Sequence, residues 1–397
     1  MLELDPQLIL LCIELDPWQE TTGGQTAFAK HLLQTFPTRF AVVSSTPEDL
    51  PAGKWCERKW HGQSIKFFSL GSVRRAGRCK PLVPQRASLY WMARRHMAAL
   101  NASGSDSILI DNPEVLLAAS HYSWRRACYL FSSINNQISN SRYKWARPFG
   151  PLFENLTVAA LRRLNPEVVV AAADDCAITE LYKRTRGNLN QFKIHSLPTR
   201  VDLSRFYPEE RLTCRKRCGL PADELILICT GRLCWIKGWA FLIDVLAELR
   251  RRAVSATLVL VGSGEDHDAA LRRAELLGLA ANVLVTGFLR HDQVRTFLNA
   301  ADVYVVGSFL EGWSVAMVEA LACGKRIVST AVSGATGMVS QGTNGFIVAS
   351  RDPASFADAV MKSLALSDAA EYSINLSRHY SLQTLRSDLS RIWDVLR

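Results

Sequence analysis

Four short stretches of the 397-residue sequence combine residue types and spacings that could do chemistry. The first is Gly231-Arg232-Leu233-Cys234-Trp235-Ile236-Lys237-Gly238, between an apolar run ending at Thr230 and a helical pattern. A strand, loop and helix in that order, with two cations at the mouth, suit a phosphate. Helix N-terminal amides point at the anion while Arg232 and Lys237 neutralise it. The same side chains would otherwise be ordinary solvated charges. The second stretch, Glu311-Gly312-Trp313-Ser314-Val315-Ala316-Met317-Val318-Glu319, also follows an apolar run. A helix beginning near Trp313 puts Glu311 on the loop at its mouth and Glu319 about two turns inside. Carboxylates accept hydrogen bonds from sugar hydroxyls; Glu311 could equally be an acid favoured by the helix dipole. The apolar neighbours Met317, Val318, Ala320 and Leu321 argue against a simply exposed Glu319. The third stretch is Thr21-Thr22-Gly23-Gly24-Gln25-Thr26, where two glycines ahead of a helical pattern allow close backbone approach to a ligand. It lacks the G-x-G-x-x-G spacing of a dinucleotide fingerprint. The fourth pairs Val261-Gly262-Ser263-Gly264-Glu265 with Thr286-Gly287-Phe288-Leu289. The latter could set amides and an apolar wall beside a base; either could also be a tight turn.

The elements that must position these residues follow one rhythm. Apolar runs at Leu8–Ile13, Phe40–Ser44, Ile65–Leu70, Ile108–Ile110, Cys128–Phe131 and Val168–Ala172 read as buried strands, with helical patterns such as Thr26–Gln34 and Leu89–Leu100 between them. The rhythm restarts at Leu225–Thr230 and continues through Thr257–Val261, Val283–Thr286, Val303–Val306, Arg326–Ser329 and Phe346–Val348. Helical patterns at Gly238–Arg251 and Asp266–Leu277 separate them, and one amphipathic helix is expected from about Ser377 through Trp393. Strands alternating with helices imply parallel sheets covered on both faces. Two doubly wound units fit the length, joined near Pro198–Pro208. Ligands of such sheets bind at the carboxyl ends of the strands, where the four stretches fall.

The composition, 48% hydrophobic and 21% charged, excludes a disordered chain, a collagen-like fibre and a disulfide miniprotein. Net charge is +10, and it is uneven: residues 1–200 hold 25 basic and 16 acidic residues, residues 201–397 hold 22 and 21. An anionic partner would therefore meet the first half. Ten cysteines are scattered singly, several inside apolar runs, and read as buried free thiols of a reducing cytoplasm. Cys214 and Cys218 have no second pair at zinc spacing, so no metal is expected. No apolar run reaches a membrane span, and the first, Leu8–Ile13, lacks the basic start and length of a signal peptide.

Together these pieces resemble the family 4 glycosyltransferases, which have the GT-B fold and act with retention. The likeness is carried by Gly231-Arg232-Leu233 with Lys237-Gly238, Gly262-Ser263-Gly264, Asn282-Val283 through Gly287, Ala301-Asp302-Val303, Glu311-Gly312 with Glu319-Ala320, and Asn344-Gly345-Phe346-Ile347-Val348. Gly23-Gly24 and Pro198 with Val201-Asp202 extend it toward the N-terminus. The resemblance implies an α/β fold of two doubly wound Rossmann-like domains facing a central cleft. Residues 1–205 would form the acceptor-side domain, 206–376 the nucleotide-sugar domain, and 377–397 a helix crossing back to the first. It also implies transfer of a sugar, with retention, from a nucleotide diphosphate sugar to a lipid-linked or polysaccharide acceptor in cell-surface glycan assembly, such as that of lipopolysaccharide. Arg232, Lys237 and Glu311 would be catalytic; Gly23, Gly24, Gly262, Phe288, Leu289, Trp313, Ser314, Val315 and Glu319 would bind the donor, with no metal and no cofactor required. Three departures stand out. Trp313-Ser314 occupy the place of the family's frequent Phe-Gly, Ser333-Gly334-Ala335-Thr336-Gly337 lacks an acid the family often has, and Tyr129 to Asn135 has no His where many members place one. The rival readings are a same-fold nucleotide-sugar epimerase and, from another class, a basic nucleic-acid binder, for which no zinc finger or RNA-binding signature is present.

Between Arg58 and Arg163 lie 17 Lys or Arg against four acids, interleaved with aromatics as in Tyr90-Trp91-Met92-Ala93-Arg94-Arg95 and Arg142-Tyr143-Lys144-Trp145-Ala146-Arg147. Rings and cations together suit a membrane interface. The expectation is a cytoplasmic protein docking reversibly on the anionic inner face of the cell membrane through residues within Arg74–Lys80, Arg94–Arg95 and Arg142–Arg147, with no nucleic-acid partner; a solvated basic face is the alternative.

Overall fold

A computed structural model describes residues 4–19, 24–72, 84–131, 138, 143–172, 175–185 and 193–396. The chain forms two compact units, residues 1–198 with 385–397, and residues 199–384.

In the N-terminal unit eight strands form one sheet: β1 Ile9–Leu15, β2 Phe40–Thr46, β3 Trp55–Trp60, β4 Gln63–Ser72, β5 Ser107–Ile110, β6 Arg126–Phe131, β7 Val168–Ala171 and β8 Ile194–Ser196. Their order is β3-β4-β2-β1-β5-β6-β7-β8. The helices are α1 Gly24–Thr35, α2 Gln85–Asn101, α3 Pro113–Ala119, α4 Gly150–Leu164 and α5 Asp175–Arg184. Leu10 and Cys12 of β1 share a core with Leu89 and Met97 of α2 and Val115 and Leu116 of α3, while their neighbours Ile9 and Leu11 are equally inaccessible. A strand buried on both faces is the mark of a sheet with helices above and below.

The six strands expected here are present, and two more join them. β3 pairs antiparallel with β4 at the sheet edge, against the expectation of parallel pairing throughout. Its sequence, Trp-Cys-Glu-Arg-Lys-Trp, alternates half-buried and exposed positions rather than forming an apolar run. Glu57 and Lys59 fall on the exposed face, and half-buried Arg58 is neutralised by Asp16 (2.7 Å) and Glu48 (2.5 Å).

The C-terminal unit has a six-stranded parallel sheet: β9 Leu225–Thr230, β10 Ala256–Val261, β11 Val283–Gly287, β12 Val303–Val306, β13 Arg326–Thr330 and β14 Gly345–Val348, in the order β11-β10-β9-β12-β13-β14. Its helices are α6 Arg211–Cys218, α7 Trp239–Arg251, α8 His267–Leu276, α9 His291–Ala300, α10 Val315–Ala322, α11 Ala335–Met338, α12 Pro353–Leu364 and α13 Ala369–His379. The period of two along each strand sorts side chains into two cores. Leu227, Leu258, Leu260 and Val305 pack with Leu242 and Leu246 of α7 and Phe356 and Val360 of α12. Ile226, Ile228, Val259 and Tyr304 pack with Met317 and Leu321 of α10.

The single helix expected from Ser377 is two, α13 and α14 Leu382–Ile392. Between them Tyr380 accepts from the amide of Val201 (2.8 Å) and Val201 accepts from Leu382 (3.2 Å). This bridge diverts backbone groups that a continuous helix would need. Residues from Leu385 onward belong to the N-terminal unit. There Trp393 is buried, its indole N–H donating to Glu167 at 3.1 Å. Cys12, Cys128, Cys214, Cys234 and Cys323 are buried free thiols, and Cys56, Cys218 and Cys229 are free and half-buried. Among the described residues no helix is long and apolar enough to cross a membrane.

Candidate active site

The strand order of the C-terminal unit reverses between β9 and β12. The loops leaving their carboxyl ends therefore flank the crevice where such sheets bind ligands. These loops are residues 231–238 and 307–314, which carry the first two chemical stretches. Glycines bring the backbones together. A Cβ on Gly238 (φ +66°) would lie 1.8 Å from the Gly307 carbonyl oxygen, and one on Gly262 (φ +139°) 1.9 Å from that of Gly231. The loops are also sewn by hydrogen bonds: Gly231 N–H donates to Val261 (2.9 Å), Leu233 to Ser263 (3.0 Å) and Phe309 to Ile236 (2.8 Å).

On this frame Lys237, at the end of a 3-10 turn spanning Trp235–Lys237, donates through Nζ to Glu311 Oε1 at 2.6 Å. Ser308 Oγ donates to the same oxygen at 2.6 Å. Burial works against the Lys237 charge, but the charge of Glu311 and its hydrogen bond outweigh it and hold the ammonium above its usual range. Arg232 points differently: its Nε pairs with Glu265 at 3.0 Å and its side chain is 58% exposed, leaving the guanidinium open to solvent on the same loop.

Sequence reasoning missed two supports of this site. Arg351 donates to the carbonyls of Ser308 (3.0 Å) and Gly307 (2.8 Å) and stacks 3.7 Å over Phe309. Phe309 in turn meets Trp235 of the opposite loop, with centroids 5.5 Å apart. Arg351 lies just beyond β14, the same carboxyl edge as the other loops, and that position was the one signal available for it.

α10 begins at Val315, with Ser314 as its N-cap accepting from Met317 N–H at 3.4 Å. Glu319 is therefore about one turn inside the helix, not two. Among the described residues the Glu319 carboxyl has no hydrogen-bond or ion-pair partner, and burial pushes it up to about 8. Burial likewise raises the Tyr304 hydroxyl, with Cys229 and then Glu311 and Glu319 adding to the effect against the hydrogen bond shared with Thr230. The Trp313 ring is a packing element: a Cβ on Gly337 would lie 2.5 Å from its Cη2, and its indole N–H is buried without a partner. Among the described residues no carbonyl accepts from the amides of Trp313, Ser314 or Val315.

Of the remaining expected residues, Phe288 is 43% exposed just after β11, and Leu289 packs into the core below it. Gly24 opens α1 in the N-terminal unit, and Gly23 lies outside the described residues, as do Arg74–Lys80 and Arg142. Two motif residues turn out to be architectural. Asp302 accepts from Arg215 (2.6 Å) and from Ile226 N–H (2.8 Å), and Asn344 bonds Ser340, Met338 and Ser373. Among the described residues no three His, Cys, Asp or Glu side chains gather as a metal-binding set.

Residues 210–379 match the family described as glycosyl transferases group 1. The D-inositol 3-phosphate glycosyltransferase of Xylanimonas cellulosilytica is 31% identical over 220 residues, 51% of this chain and 52% of that protein. The GDP-mannose-dependent alpha-(1-6)-phosphatidylinositol monomannoside mannosyltransferase of Mycolicibacterium smegmatis is 32% identical over 236 residues, 56% and 60% of the two chains. The chain thus spans about half the length of the curated relatives it matches. The structure of sucrose-phosphate synthase from Thermosynechococcus elongatus superposes with a TM-score of 0.78 over 98% of this chain and 99% of that one, at 20% identity. Two Rossmann-like units with that full-length likeness define the GT-B fold.

Proposed function

We propose that this chain is a retaining glycosyltransferase of family 4 that moves a sugar from a nucleotide diphosphate sugar to a lipid-linked or polysaccharide acceptor in cell-surface glycan assembly. It would work in the cytoplasm and at the anionic inner face of the membrane. The observation that carries the reading is the Lys237–Glu311 pair, with Arg232 on the same loop, at the strand-order switch of a GT-B unit. The match over residues 210–379 and the activities named for the two relatives support a GT-B glycosyltransferase.

Cleavage of the anomeric bond leaves negative charge on the diphosphate and positive character on the sugar. Arg232 and Lys237 meet that charge without a metal, and one preorganised donor of this kind is typically worth about 3–4 kcal/mol. In the free protein Glu311 is the counter-ion of Lys237. An arriving diphosphate takes over that role and releases the carboxylate to hold sugar hydroxyls, aided by the amides of Trp313–Val315. Glu319 accepts from the ribose. Gly262, Phe288 and Leu289 flank the base. The two carboxylates serve different parts of the donor, so neither acts as a nucleophile. A phosphate oxygen of the leaving group takes the acceptor proton on the face it departs from, which gives retention.

A panel of nucleotide sugars tests this by native mass spectrometry and by slow donor hydrolysis. Binding of one nucleoside diphosphate sugar with slow release of free sugar supports transfer. Conversion of that donor to its epimer without an acceptor would make the chain an epimerase, and a folded protein that binds no member of the panel would overturn the reading.

A further inference from the structure

The N-terminal unit carries a row of exposed apolar side chains. A 3-10 turn, Lys144–Phe149, runs directly into α4. Trp145, Phe149, Leu152 and Leu156 are 63%, 57%, 57% and 48% exposed. Steps of three and four residues place Phe149, Leu152 and Leu156 on one side of the helical path, and Trp145 precedes them on the 3-10 turn. Ala159 and Arg163, both exposed, continue the row. Single exposed apolar residues are ordinary, but a contiguous row is an interaction surface.

A cavity of about 510 Å³ opens beside this row, lined by Asn155, Val158 and Arg162 of α4 and Lys183 and Arg184 of α5. Arg184 is neutralised by Glu154 (2.6 Å) and Glu180 (3.0 Å), and Glu154 is the one acid of α4. Arg162 donates through Nη2 to the Arg184 carbonyl, yet its Nε is buried without a partner. Among the described residues no carboxylate pairs with Arg162 or Lys183. The cavity therefore holds surplus positive charge and an orphan donor, a combination that calls for an anion.

We propose that this face docks on an anionic phospholipid bilayer, with Trp145, Phe149, Leu152 and Leu156 at the boundary of headgroups and acyl chains and a lipid phosphate in the cavity of Arg162 and Lys183. The proposal rests on the membrane-side reading above and names its surface. Charge decides between a bilayer and a second copy of the chain. A two-fold contact sets the same patch, with its surplus positive charge, against itself; anionic headgroups neutralise that charge instead. An indole at the head of the row suits the interfacial region, where an apolar ring with one N–H donor is at home.

Co-sedimentation of the full chain with phosphatidylcholine vesicles, with and without phosphatidylglycerol, tests it. The wild type should bind the anionic vesicles, less so as salt is raised. Leu152→Glu with Leu156→Glu should weaken binding at least about tenfold. Arg162→Gln with Lys183→Gln should cost about fivefold per charge, whereas Lys216→Gln with Arg250→Gln, an equal charge change on exposed residues of the other unit, should cost little. Should the glutamate variant fail to fold by circular dichroism, the fluorescence of folded Trp145→Phe gives a second readout: the vesicle-induced blue shift of the wild type should shrink. Anionic binding that both the stripe and the cavity variants retain in full overturns this surface and leaves the membrane reading standing. No binding to anionic vesicles overturns both. A wild-type dimer that the stripe variant dissolves in sedimentation velocity would assign the face to a second copy.

Discussion

Lys237 and Glu311, 74 residues apart in sequence, share a 2.6 Å hydrogen bond at the carboxyl edge of the C-terminal sheet. Each holds the other ready for a different part of one ligand. Lys237→Ala removes a charge-assisted contact that strengthens as the diphosphate departs, so turnover should fall at least about tenfold. Glu311→Ala should slow transfer more than it weakens donor binding. Because the two act as a unit, the double variant should lose less than the sum of the single losses, which steady-state kinetics on the four proteins measures. Full additivity would show that the pair does not act through one donor.

Glu319 makes a pH-dependent prediction. Its carboxyl is raised from 4.5 to about 8 by burial. The folded chain then keeps a proton that the unfolded chain has released, so stability falls as pH rises from about 4.5 through about 8 and is flat beyond. The full penalty is at most about 5 kcal/mol. Glu319→Gln should flatten this slope, gaining on the wild type between pH 5 and pH 8 in denaturant unfolding. Equal slopes for the two proteins would place the carboxyl in water. Glu319→Ala should also weaken donor binding about tenfold, read by calorimetry, since a ribose hydroxyl loses its acceptor.

Much of this was legible in the sequence because burial on both faces makes parallel strands read as apolar runs. β9 and β12 appear residue for residue as expected, at Leu225–Thr230 and Val303–Val306. β3 was not legible, since Glu57, Arg58 and Lys59 hide an edge strand, and neither was the break at Tyr380–Ser381, which depends on Val201 from 180 residues away in the chain. At the site, spacing located Lys237 and Glu311 separately, but nothing local says that they touch. Arg351 was invisible for the same reason: its partners, the carbonyls of Gly307 and Ser308, are backbone atoms brought to it by the sheet.

Two glycines of positive φ outside the two site loops, Gly262 after β10 and Gly278 after α8, should separate by contact. Gly262→Ala puts a Cβ against the Gly231 carbonyl at a φ of +139°, and should cost about 3 kcal/mol or more in urea unfolding. Gly278 has a φ of +69° but open space around it, so Gly278→Ala should cost only about 1–2 kcal/mol of backbone strain. Comparable losses at the two positions would mean that the Gly262 turn is not closely packed on the Gly231 loop.

Arg232 separates function from stability most cleanly. Its pair with Glu265 spans 3.0 Å, but the side chains are 58% and 40% exposed, and solvent screens such a contact until it contributes little to folding. Its position is nevertheless on the β9–α7 loop that carries Lys237, beside the glycine contact with β10 that fixes the loop's course. Arg232→Ala should therefore leave the unfolding midpoint essentially unchanged while lowering turnover at least about tenfold, because a donor aimed at developing phosphate charge is strongest in the transition state. Glu265→Ala is the matched control. It frees Arg232 without removing it, so turnover should hold or rise, and a guanidinium released from its carboxylate should tighten donor binding. Full turnover in Arg232→Ala, or a loss in Glu265→Ala as large as in Arg232→Ala, would show that the arginine serves the loop and not the diphosphate.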